Sequence, residues 1–141
     1  MKSIYRYLIV LCALLTVVFW TMPYFDYMWF SNEQLHLLDK NGLGAKIPGN
    51  DFTYWGTLFI WLLLSAGLFL YNKRARSAFV GFYIISTLSG LFYGVQVLTP
   101  YEATISALIN LADGTILTMA YLTSVGTMFE KTPNKHSAGL S

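Results

Sequence analysis

Four long apolar runs set the main constraint on this chain, because each could cross a lipid bilayer as a helix. A hydrocarbon core of about 30 Å takes about 20 helical residues. The runs extend over residues 4–25, 52–71, 79–98 and 103–129. None alternates polar with apolar residues as a membrane β-strand does. The sequence therefore predicts an all-α integral membrane protein, a single domain over residues 1–141 whose four transmembrane helices form a bundle.

The composition fits this prediction and excludes several functional classes. Of the 141 residues, 55% are hydrophobic and 11% are charged, whereas soluble domains average about 25% charged residues. A net charge of +2 gives no dense basic surface, so we expect no nucleic-acid partner. One cysteine and two histidines exclude a disulfide framework and make a metal site unexpected.

Enzymatic chemistry is not expected either. His36 lies between the first two runs and His136 follows the last one, so neither can join Asp113 in an acid-base or metal site. No nucleophile, base and orienting residue come together, and the runs offer no histidine ligand for haem. We expect no catalytic residues and no cofactor.

The cations predict an orientation in the membrane. Lysine and arginine in short flanking segments are retained on the cytoplasmic side. With both termini in the cytoplasm, only Lys40 and Lys46 lie outside, in the outer loop 26–51. The tail 130–141 is then cytoplasmic, and the chain is a multi-pass protein of the cell inner membrane. Seven cations lie on the inner side: Lys2, Arg6, Lys73, Arg74, Arg76, Lys131 and Lys135.

The first run has a competing interpretation as a secretory signal, because Lys2 and Arg6 precede an apolar stretch near the N-terminus. The stretch continues as far as Pro23 without a small-x-small cleavage pattern. We therefore expect the first run to be retained as a transmembrane helix. Cys12 is then interpreted as a small apolar residue within that helix.

Helix-capping patterns predict where helices begin and end. Thr99 and Glu102 form a capping box at the start of the fourth helix, which predicts a tight hairpin with the third helix. The cations that follow Asn72 are predicted to stabilise the end of the second helix. In the outer loop, Ser31 and Gln34 have the spacing of a helix cap. They predict a short interfacial helix that stops at Asn41-Gly42.

The fourth helix carries five polar residues at helical spacing. Asp113 is the only carboxylate in this run. A carboxylate near the bilayer centre costs about 2.5 to 3.5 kcal/mol, so we expect it to face the protein interior. Leu117 interrupts the stripe one turn after Asp113. The predicted polar stripe comprises Ser106, Asn110, Asp113, Tyr121 and Ser124.

Two interpretations of this stripe remain open. It could relay a proton or cation, bind a polar ligand, or contact an intramembrane cation of a partner. It could equally be a hydrogen-bonded clamp that fixes helix packing. In the third run, Ser86, Gly90 and Gly94 recur every four residues. This predicts a helix-packing face, used either against the fourth helix or in a dimer.

Two functional hypotheses follow from this layout. The first is a non-enzymatic protein that acts through protein-protein interaction in the membrane, as an accessory subunit or an immunity or exclusion protein. The second is an oligomeric conduit for ions, protons or small solutes that uses the stripe around Asp113. The expected partners are the lipid bilayer and either another membrane protein or further copies of this chain.

Overall fold

The computed structural model describes residues 1–38, 42–47 and 50–130. Within these ranges the chain is all-helical, and four helices are long and apolar enough to cross a membrane. The four are α1, α4, α5 and α6, and the two short helices α2 and α3 lie between α1 and α4 in the sequence. The helices are α1 (Lys2–Thr21), α2 (Asp26–Trp29), α3 (Asn32–Leu38), α4 (Asp51–Phe69), α5 (Lys73–Ser89) and α6 (Pro100–Leu122).

Helix α1 is central to the packing, because it contacts both α6 and α4, whereas α5 packs chiefly on α4. The buried face of α1 repeats every three or four residues, as one face of a helix does. It consists of Tyr5, Ile9, Cys12 and Thr16. Helix α4 contributes Trp61, which packs against Phe79 of α5 with ring centroids 5.0 Å apart. The core therefore runs from α6 through α1 and α4 to α5.

The turn between α4 and α5 corrects the predicted end of the second helix. Tyr71 has a positive φ of 57°, and the Asn72 side chain accepts hydrogen bonds from the backbone N–H groups of Arg74 and Ala75. Asn72 is thus the N-cap of α5. Helix α4 already ends at Phe69, and the cations that follow Asn72 belong to the first turn of α5, so they are not the last residues of the second helix.

The third long helix also differs from its predicted range of 79–98. It begins at Lys73 and ends at Ser89, and a 3-10 turn covers Gly90–Phe92. Residues 93–99 are not helical. The predicted tight hairpin between the third and fourth helices is therefore wrong, because a non-helical connection separates them.

Backbone hydrogen bonds to residues 42–47, in the loop between α3 and α4, hold this connection. Val95 donates its N–H to the Leu43 carbonyl at 2.9 Å, and its own carbonyl accepts from Gly42 at 2.7 Å. The Phe92 carbonyl accepts from Lys46 at 2.7 Å. These bonds satisfy backbone groups that would otherwise pair along a continuing helix.

Two predicted helix starts are confirmed. Thr99 and Glu102 form the capping box of α6, with the Thr99 N–H donating to Glu102 Oε2 at 2.8 Å. The Ser31 N–H donates to Gln34 Oε1 at 3.0 Å, at the start of α3. The predicted stop of that helix at Asn41 lies outside the described residues.

Gly94 has a conformation that a larger residue would disrupt, and this gives a test of the connection. Its φ is +75°, and an added Cβ would lie 2.5 Å from the Leu43 carbonyl oxygen and 2.6 Å from the Ala45 nitrogen. We expect Gly94→Ala to destabilise the protein by about 1–3 kcal/mol. The measurement is the midpoint of thermal unfolding in mild detergent.

Gly90→Ala is the matched control, because a Cβ at Gly90 would meet nothing within 4 Å. We expect its midpoint to equal or slightly exceed that of the wild type. Equal midpoints for Gly94→Ala and Gly90→Ala would contradict the proposed role of the backbone contact with Leu43 and Ala45.

Candidate functional site

The candidate site centres on Asp113, which is 1% exposed on the face of α6 that meets α1. The Cys12 thiol of α1 donates to Asp113 Oδ1 at 3.2 Å. Asp113 Oδ2 is buried and has no hydrogen-bond partner in the described part of the chain. The carboxyl group therefore links two helices whose paired residues are 101 positions apart.

The surroundings of this pair are mainly apolar. Ile9, Ala112 and Ile116 belong to the same core cluster as Cys12. The buried Thr16 hydroxyl donates to the backbone carbonyl of Cys12 at 2.8 Å, so its proton is not directed at the carboxylate. Because a thiol is a weak donor, the Asp113 carboxyl group has only one weak hydrogen-bond donor from the described residues.

The structure does not bring the other predicted stripe residues into this site. Ser106 is half-buried and Asn110 is exposed, and no hydrogen bond joins Asn110 to Asp113 among the residues described. Tyr121 is 45% exposed. Ser124 lies beyond the end of α6 and its hydroxyl donates to Met1 Sδ at 3.8 Å. The five residues therefore do not share one environment.

The predicted packing face on the third helix is also divided. Ser86 lies on α5, Gly90 lies in the following 3-10 turn, and Gly94 is in the non-helical connection. Close helix approach occurs instead between Gly67 of α4 and Ala75 of α5, where an added Cβ on the glycine would overlap the alanine Cβ. Small residues on two different helices make this contact, as is common in membrane helix pairs.

Cys12 is the site residue that sequence reasoning misses, because a lone cysteine in an apolar run is interpreted as a small apolar residue. The position of Cys12 in the sequence does indicate a role beside Asp113. Cys12 shares the face of Tyr5, Ile9 and Thr16, and it lies near the middle of α1 as Asp113 lies near the middle of α6. A thiol at matching depth is a candidate donor for a carboxyl group on a neighbouring helix.

Neither a metal site nor a similar protein adds to the description of this site. Within residues 1–38, 42–47 and 50–130, no group of three or more histidine, cysteine or acidic side chains could hold a metal ion. Comparison with protein-family models, curated proteins and solved structures finds no match for this chain. The chain's own geometry therefore carries the functional proposal.

Replacing Asp113 tests whether the link to Cys12 stabilises the fold. Asparagine keeps a carbonyl oxygen that can accept from the thiol, whereas leucine does not. We expect Asp113→Asn to leave the thermal midpoint in detergent nearly unchanged. Asp113→Leu should destabilise by about 0.6 kcal/mol, the average for hydrogen bonds between membrane helices, and by no more than about 1.7 kcal/mol, the largest value for such bonds.

An exposed neighbour supplies the control for this pair of variants. Asn110→Leu makes a similar polar-to-apolar change on the same helix at an exposed position, and we expect it to leave the midpoint unchanged. Equal loss of stability in Asp113→Asn and Asp113→Leu would contradict a role for the accepting oxygen.

Proposed function

We propose that this chain is a non-enzymatic, multi-pass protein of the inner membrane that acts by binding another membrane protein. An accessory subunit and an immunity or exclusion protein both work in this way. The exposed surface supports placement in lipid, because large apolar side chains cover all four long helices. Examples are Leu14 of α1, Leu63 of α4, Ile85 of α5 and Leu111 of α6, each more than 60% exposed. Contiguous apolar surface of this extent is a liability in water.

The observation that carries the interaction proposal is the poor burial of α5. Of the apolar 18-residue stretch within Lys73–Phe92, only 6% is buried, against 28% of the corresponding stretch within Pro100–Leu122. One face of α5 packs on Trp61 of α4 through Phe79, Phe82 and Tyr83. The opposite face has no comparable contact within the described chain.

The opposite face of α5 is a stripe of residues that includes a glycine, which leaves space for a second helix to pack closely. We call it the α5 free face, and its residues follow a helical spacing of four, three and four. Its side chains are small towards the start of α5 and large and apolar towards the end of α5. It consists of Ser77, Gly81, Ile84 and Leu88.

The small residues of the α5 free face favour a helix over lipid as its cover. An added Cβ at Gly81 would meet nothing within 4 Å, so this glycine is not needed for packing inside the chain. Association of membrane helices depends on small residues that let two backbones approach closely. We infer that the occupant of the α5 free face is a transmembrane helix of a different protein.

Site-specific photo-crosslinking tests this proposal in native membranes. A photoreactive residue at Ile84, on the α5 free face, should give one discrete adduct. The same residue at Leu14, which is 61% exposed on α1, should give none, because Leu14 contacts lipid. Gly81→Leu should abolish the adduct, since a bulky side chain blocks close approach by a partner.

The Gly81→Leu variant also controls for folding. Leucine favours helix formation more than glycine does, and a Cβ at this position meets nothing within 4 Å, so its thermal midpoint should not fall. Equal crosslinking from Ile84 and Leu14, or an Ile84 adduct that persists in Gly81→Leu, would contradict the proposal. An adduct at twice the chain's mass of 15.9 kDa would indicate a homo-oligomer instead.

One observation favours the alternative of an oligomeric conduit. Among the residues that the structure describes, Asp113 Oδ2 is a buried polar atom without a partner, and unpaired buried carboxyl oxygens are uncommon outside functional sites. Asp113→Asn distinguishes the two hypotheses, because an amide cannot exchange a proton at neutral pH or balance a cation. Loss of the protein's phenotype in this variant, with stability intact, would support the conduit. Retention of both would support the interaction protein.

A further inference from the structure

A second polar cluster lies at the opposite end of the helices from the outer loop. It is formed by the start of α1, the turn between α4 and α5, and the start of α5. We call it the cationic end, and its residues are Lys2, Tyr5, Arg6, Tyr71 and Arg76. Aromatic rings hold it together: Tyr5 and Tyr71 stack with centroids 5.9 Å apart.

The cations of this cluster lie against those rings. Lys2 Nζ lies 5.7 Å from the Tyr71 centroid, and the Arg6 guanidinium carbon lies 5.3 Å from it. The Arg76 guanidinium carbon lies 5.2 Å from the Phe129 ring. Phe129 in turn packs edge-on against both tyrosines. Three cationic side chains are thus arranged around one aromatic group.

The cationic end contains four buried donors that lack acceptors. The hydroxyl groups of Tyr5 and Tyr71 and the Nε atoms of Arg6 and Arg76 have no hydrogen-bond partner in the described part of the chain. Tyr5 is 0% exposed and Arg76 is 9% exposed. Buried polar groups are nearly always paired in folded proteins, so four such donors together indicate an acceptor that residues 1–38, 42–47 and 50–130 do not supply.

The acceptors that are present do not satisfy this need. Arg76 donates through one terminal nitrogen to the Ala120 carbonyl at 3.2 Å. Its other terminal nitrogen lies 4.0 Å from Glu130 Oε1, and the Glu130 side chain is 65% exposed. An ion pair at this distance, with an exposed carboxylate, contributes little. Three cations and one distant carboxylate leave the cluster with a positive charge that an anion would balance.

We propose that the cationic end binds the phosphate group of an anionic phospholipid. A phosphate diester offers several oxygens and one negative charge, which suits a cluster with four unpaired donors, and arginine in particular. The excess of cations predicts that this end faces the cytoplasm, where anionic lipids are enriched and basic sites between helices bind their headgroups. Exposed apolar residues at the same end, such as Ile4 and Leu70, supply a surface for the acyl chains.

This site is separate from the proposed partner surface. The α5 free face takes a protein helix, whereas the cationic end takes a lipid headgroup between α1 and the turn before α5. The lipid proposal depends on placement in a membrane and not on the identity of any partner. Failure of the crosslinking test would therefore leave it standing, and the reverse also holds.

Lipid titrations of the full chain in a neutral detergent test the proposal. The readout is the thermal midpoint as a function of added phosphatidylglycerol, phosphatidylcholine or inorganic phosphate. Phosphatidylglycerol should raise the midpoint at concentrations at least tenfold below those at which phosphatidylcholine acts. Inorganic phosphate should have no comparable effect, because it lacks the acyl chains that hold the lipid on the helices.

Variants then assign the effect to the cluster. Arg6→Gln should weaken the phosphatidylglycerol response tenfold or more. The double variant Tyr5→Phe and Tyr71→Phe should weaken it several-fold, because it removes two donors and keeps both rings. Arg74→Gln is the matched control, since it loses one exposed cation two residues from Arg76, and it should respond as the wild type does.

Several outcomes would overturn the assignment. Equal responses to the two lipids would show that no anionic headgroup is recognised. An equal response to inorganic phosphate would identify free phosphate as the ligand. An equal loss in Arg74→Gln and Arg6→Gln would indicate diffuse charge attraction rather than a site. If Arg6→Gln does not fold, the double variant Tyr5→Phe and Tyr71→Phe provides the test. A phosphatidylglycerol response equal to that of the wild type in this double variant would contradict the proposal.

Discussion

The packing of α1 against α6 is the contact on which the rest of the structure depends. Helix α1 also contacts α4, and α4 supports α5, so removal of α1 would separate α6 from its main neighbour. Both helices bury small or medium residues at this interface, including Cys12, Ala112 and Ala120. Because α1 and α6 are the first and last long helices of the chain, their contact closes the fold across almost its whole length.

Much of the helical layout could be predicted from the sequence, because hydrophobic runs and helix caps are local signals. The capping box at Thr99 is an example. The end of α5 could not be predicted, since the apolar run continues past Ser89 and the competing backbone bonds come from residues 42–47, about 50 residues earlier. The N-cap role of Asn72 was missed for a related reason: the apolar run extends to Tyr71 and conceals the short turn.

At the candidate site, too, the sequence predicts what depends on a single helix but not what depends on the packing of two helices. The cost of a carboxylate in an apolar helix predicts that Asp113 is buried, and it is. Its surroundings depend on which residues of α6 face α1. Ala112, Ile116 and Ala120 form the centre of the buried face, so Asp113 lies at one edge of it and Asn110, one turn earlier, lies beyond that edge. A spacing pattern groups Asn110 with Asp113, but only the packing partner decides where the face ends.

The reactivity of the single cysteine tests most directly whether the interface between α1 and α6 is closed. Cys12 is 3% exposed, whereas Leu14 on the same helix is 61% exposed at nearly the same depth. An apolar maleimide in mild detergent should label a Cys12→Ser/Leu14→Cys variant readily. The wild-type Cys12 should react only after denaturation. Labelling of native Cys12 at the rate of the Leu14→Cys variant would contradict the closed interface on which this account depends.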